Sequence, residues 1–98
     1  MTDGGVMGNA RLALPAVADL VQAEPLKAEI ERHLAAGAGL EIDASVVQRI
    51  SSPCLQVLVA GVAAFAKAGG PSCAITKPSQ AFLETATVLG LGGPLRLE

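Results

Sequence analysis

Residues 40–67 set a buried-strand pattern, a hydroxyl-bearing turn and a long apolar helix in direct succession, an order that leaves the rest of the fold little freedom. Leu40-Glu41-Ile42-Asp43 alternates apolar and charged residues, so Leu40 and Ile42 share one face of a strand. Val46, Val47 and Ile50 carry the chain onward into the core and deliver it to Ser51-Ser52-Pro53-Cys54. From Leu55 to Lys67, the residues Leu55, Leu58, Val59, Val62, Phe65 and Ala66 recur at helical spacing and predict a helix that buries one face. Ser52 followed by Pro53 fits an N-cap followed by the first helical residue. The turn therefore lies where free backbone N–H groups and the positive end of a helix dipole gather, a place that also favours an added phosphate. Two roles for Ser52 stay open on this pattern, a plain cap and a regulatory switch.

The flanking segments extend the alternation of strand and helix. Ala10 to Leu14 predicts a short strand stopped at Pro15. Val17 to Ala23 fits either a second short strand containing Leu20 and Val21 or a loop packed on the core. Glu24-Pro25 predicts a helix start with proline at the first helical position. Leu26, Ile30 and Leu34 form its apolar stripe, Lys27–Glu31 and Glu29–His33 are i,i+4 pairs on its wet side, and Gly37 and Gly39 bracket its exit. Ser72 to Thr76 is the next strand, with Cys73 and Ile75 on one face. Ser79 is the expected cap of a third helix whose apolar side is Phe82, Leu83, Ala86 and Leu89, closed by Gly90. Leu95 to Leu97 is expected as a last edge strand. Short connections and right-handed crossovers make strands 40–43 and 72–76 parallel. The expected fold is α/β, a small mixed or parallel sheet with helices on one face. It forms one domain over residues 10–98 behind a flexible, Gly-rich lead-in at residues 1–9.

Composition narrows the function. There is no Trp or Tyr and only two Phe among 98 residues, so stacking platforms for single-stranded nucleic acid are missing. A net charge of −2 without a basic cluster argues against any nucleic-acid partner. The longest apolar run, Val57 to Ala66, is too short for a membrane span, and the N-terminus lacks the basic start of a signal peptide, so residence in the cytoplasm is expected. Cys54 and Cys73 are not in a CxxC arrangement, and His33 has no Cys or His at metal spacing, so no metal, cofactor or disulfide is expected. No nucleophile–base pair and no Walker-type sequence is visible, and Gly90-Leu91-Gly92-Gly93 is read as a turn; the chain is not expected to be an enzyme. Asp43 is expected to accept a local hydrogen bond near Ser45.

The run from Leu40 through Asp43, Ser51-Ser52-Pro53-Cys54-Leu55-Gln56 and on to Leu58 resembles the central signature of the STAS domain, a family that joins sulfate transporters with anti-sigma factor antagonists. Pro78-Ser79-Gln80-Ala81-Phe82-Leu83 through Leu89-Gly90-Leu91 is similar to the family's closing helix, and the resemblance covers about Leu12 to Leu97. The family's turn typically reads Asp-Ser-Ser-Gly-Leu or Asp-Thr-Ala-Gly-Leu, and the hydroxyl after the Asp is the phosphorylation site of regulatory members. That position falls on Ser52, Leu55 falls on the Leu, and Asp43 matches an Asp near the end of the preceding strand. This chain departs by carrying Ser51 for the Asp and Cys54 for the Gly. The resemblance implies a regulatory protein-binding module of the anti-sigma factor antagonist type, in a partner-switching or chemotaxis-linked bacterial pathway. It implies phosphorylation at Ser52 and binding through Asp43, Ser51, Ser52, Pro53 and Cys54. The partner would be an anti-sigma factor, its kinase, or a chemotaxis histidine kinase. The alternative it allows is a constitutive scaffold subunit of a lipid-transport ATPase complex.

Overall fold

The computed structural model describes residues 10–97, so the lead-in expected at residues 1–9 lies outside the described residues. Three strands, β1 (Ala10–Ala13), β3 (Leu40–Asp43) and β5 (Cys73–Thr76), form one parallel sheet in the order β1-β3-β5. Two short strands, β2 (Val17–Ala18) and β4 (Arg49–Ile50), pair in parallel beside it. The helices are α1 (Leu20–Ala36), α2 (Ser52–Ala68) and α3 (Gln80–Val88). All pairings are parallel because a helix intervenes between each strand and the next of its sheet.

Register explains which face is covered. Leu12, Ile42 and Ile75 lie in one row and Ala10, Leu40 and Cys73 in another; Leu40, Ile42 and Cys73 are buried. The alternate rows, Arg11-Glu41-Ala74 and Ala13-Asp43-Thr76, project from the opposite, open face. The helices thus cover one face of the sheet, as expected for this fold class. On the open face Arg11 and Glu41 pair at 3.4 Å, an exposed contact that contributes at most about 1 kcal/mol.

The buried side chains form one cluster of aliphatic residues, two cysteines and two phenylalanines. From α2 come Cys54, Leu55, Leu58, Val62 and Phe65; from α1, Ala23, Leu26 and Ile30; from α3, Phe82 and Ala86. The two long helices touch closely at Gly61, where a Cβ would stand 2.9 Å from Ile30 Cγ2. Glycine is what permits that approach.

Several boundaries differ from the sequence expectation. Helix α1 begins at Leu20, with Asp19 as its N-cap accepting from the Val21 N–H at 3.2 Å, so Pro25 lies inside the helix rather than at its start. The proline removes one helical bond, to the carbonyl of Val21, and Val21 is at the surface where water can take its place. Leu20 and Val21 are exposed first-turn residues, neither strand nor packed loop. The pair Lys27–Glu31 is not formed, and His33 makes no ion pair with Glu29, which pairs with Arg32 instead. Ala66 and Leu89 are exposed rather than buried. Leu95 to Leu97 is a turn, not an edge strand. The Leu95 N–H bonds to the Leu91 carbonyl and the Leu97 N–H to the Gly92 carbonyl, so the backbone is satisfied locally while Leu95 anchors in the core.

Candidate functional site

Each strand of the β2–β4 pair runs straight into a helix. Val17–Ala18 leads through Asp19 into α1, and Arg49–Ile50 leads through Ser51 into α2. The Ala16 carbonyl accepts from the N–H groups of Gln48 (2.7 Å) and Arg49 (3.1 Å), and the Ala18 carbonyl accepts from the Ser51 N–H at 2.8 Å. These bonds hold the N-termini of α1 and α2 side by side. The Cys54 thiol adds a cross-link, donating to the Asp19 carbonyl at 3.1 Å.

Within the turn the two serines divide the work. Ser51, half-buried and in extended backbone, is the N-cap: its Oγ accepts from the Cys54 N–H at 3.4 Å. Ser52 is the first helical residue, exposed, and its hydroxyl makes no hydrogen bond among the described residues. Pro53 follows at the second position, where a missing N–H costs nothing. The cap expected at Ser52 is therefore at Ser51. The reason is the β2–β4 pairing, which holds Ser51 in extended backbone through its N–H and releases the chain into helix one residue later.

Ser51 stands where the resemblance places an Asp, and the geometry accounts for the exchange. Both residues cap helices well, so the structural duty survives while the charge is lost. Cys54, expected among the binding residues, is fully buried and presents no side chain to a partner; it ties α2 to the start of α1. Cys73 is also buried and unpaired, and burial raises its thiol to a pKa of about 11.

Asp43 lies apart from the turn. It stands on the open face of the sheet in register with Ala13 and Thr76, and its carboxylate accepts from the Ser45 N–H at 2.9 Å. The hydrogen bonds from Ser45, side chain first and backbone second, hold its pKa below the ordinary value, with smaller help from Lys77 and Arg11. No hydrogen bond or ion pair joins Asp43 to Ser51, Ser52 or Pro53 among the described residues. The local bond near Ser45 is the one expected from sequence.

Beside the turn is a shallow cleft of about 240 Å³ lined in part by Asp19, Gln48, Arg49, Ser51 and Thr85. Arg49 is exposed and makes no ion pair among the described residues. Its neighbours come from three elements that are distant in sequence, which is why spacing alone did not single it out. On the far side, Ser79 caps α3 by accepting from the Phe82 N–H at 3.1 Å and donates its own proton to the Val47 carbonyl at 2.6 Å. That bond fixes the loop leading to β4.

The exposed surface here is a hydroxyl and a proline at the tip of a helix, with a free guanidinium alongside. Among the described residues no helix is long and apolar enough to cross a membrane. A family model described as "Mlab, STAS domain" matches residues 6–97, and a search of curated proteins finds no match.

Proposed function

The chain belongs to the STAS domain family, whose members are in general regulatory or binding modules rather than enzymes and typically engage proteins, and from that premise we propose that it docks a protein partner through the β4–α2 turn. On this reading Ser52 and Pro53 make the contact, Ser51 sets the geometry from beneath, and Ser52 is the residue whose phosphorylation releases the partner. The observation that carries the proposal is the free, exposed hydroxyl of Ser52 at the first position of α2, spared from capping by Ser51. A phosphate there would add nearly two negative charges beside helix N–H groups. It would be stable on the protein and disruptive to a partner that had packed against a neutral surface. An anti-sigma factor, its kinase or a chemotaxis histidine kinase is the partner class that this regulatory mode implies.

A second reading, a constitutive scaffold subunit packed against a lipid-transport ATPase, is favoured by one residue: Ser51 replaces the acid that regulatory members carry before the modified hydroxyl. Both readings use the same turn and differ only in whether it is switched. Affinity capture from host lysate with wild type, Ser52→Arg and Asp43→Asn as baits tests the shared claim. The partner retained by wild type and Asp43→Asn should be lost with Ser52→Arg. Undiminished capture by Ser52→Arg would remove the turn from the interface.

A further inference from the structure

We infer that the outward face of α1 and α2 is the interface of a homodimer, in which a two-fold axis sets Lys27 of each copy opposite Glu31 of the other. The first observation is the composition of α2. Its 17 residues include one charge, Lys67, at the very end. A helix at the surface of a monomer fills its outer side with charged residues, and one that is apolar all round is covered. Here the exposed positions Gln56, Ala60 and Ala63 offer a single amide and otherwise methyl groups.

The second observation is the shape beside that face. An apolar groove of about 390 Å³ runs along the α1–α2 seam from Lys27 to Leu34 on one helix and from Gln56 to Ala64 on the other. Its floor is the Gly61–Ile30 contact, which lies midway along both stretches. Small residues on the α2 wall would let a helix of a second copy come close.

The third observation selects a second copy as the occupant. The groove's rim carries one cation and one anion, Lys27 and Glu31, a helical turn apart on α1, and neither is paired among the described residues. An interface made by a two-fold axis must be complementary to itself. An axis crossing α1 at the level of Glu29, one residue before the Ile30–Gly61 contact, reverses the helix direction, so each Lys27 meets a Glu31 and each Glu31 a Lys27. The face thus supplies both halves of its own charge pattern. It is centred about two helical turns along α2 from Ser52, so the dimer leaves the β4–α2 turn open and stands whether or not that turn docks a partner.

Sedimentation equilibrium from low micromolar to near-millimolar protein tests this. Wild type should reach twice the chain mass, and a wild type that stays monomeric throughout overturns the inference. Ala60→Glu, at an exposed position, should be monomeric and should melt like wild type at protein concentrations below the dimer's dissociation constant; a dimer unaffected by it would place the interface elsewhere. Lys27→Glu should raise the dissociation constant about tenfold or more by opposing two like charges. The double exchange Lys27→Glu with Glu31→Lys should restore it. Failure of the double exchange to restore association would contradict the two-fold pairing.

Discussion

Replacing each serine of the turn separately measures the division of labour between them. In Ser51→Ala the Cys54 N–H loses its acceptor at the start of α2. N-cap losses typically cost about 0.5–2 kcal/mol, and the 3.4 Å length of this bond puts the expected cost in the lower half, about 1 kcal/mol. For a domain of this size that lowers the melting temperature by about 4–8 °C. In Ser52→Ala an exposed hydroxyl without a partner is removed at a helical position, where alanine is the better helix former, so the change should stay within about 0.5 kcal/mol. Ser51→Asp should match wild type, because aspartate caps as well as serine and its charge meets the positive end of the helix. Thermal and denaturant unfolding followed by circular dichroism gives all three values. A larger loss in Ser52→Ala than in Ser51→Ala would refute the assignment and move the cap one residue along the chain.

Two further outcomes concern the core. Leu58 is fully buried on α2, and Leu58→Ala should cost about 2–5 kcal/mol, read as a lowered denaturant midpoint. Cys73 titrates near 11 in the fold against an ordinary value of 9.0, so the folded state holds its proton after the unfolded chain has begun to release it. Its share of the stability is therefore whole below pH 9 and falls as the pH rises from 9 towards 11, and Cys73→Ala should flatten that part of the stability profile relative to wild type.

Periodicity made β3, β5, the buried stripe of α2 and the cap of α3 legible, because each is a local pattern: Leu40 and Ile42 two apart, Leu55, Leu58, Val62 and Phe65 at helical spacing, Ser79 before an apolar helix. The start of α1 was less legible because two local signals compete. Pro25 favours the first turn, Asp19 caps six residues earlier, and only the packing of Ala23 against the core decides between them. Tandem serines posed the same difficulty at the site. Either hydroxyl fits a cap, and the choice rests on the Ser51 N–H bonding to Ala18, a contact across 33 positions that no local pattern contains. Cys54 entered the binding turn only through the family resemblance; its residue type favours burial, and the structure buries it with its thiol on the Asp19 carbonyl. Arg49 escaped notice because its significance lies in the strands and helix brought around it.

Ser52 carries the central claim, and the direct measurement is the affinity of the captured partner for two forms of the same protein, unmodified and stoichiometrically phosphorylated at Ser52. Titration calorimetry at one salt concentration compares them without the approximation of an Asp substitution, which carries less charge and fewer acceptor oxygens than phosphate. The account predicts binding by the unmodified form and at least about a tenfold weakening, or 1.4 kcal/mol, on phosphorylation. Equal affinity of the two forms would contradict the switch and leave the turn as a constitutive scaffold contact.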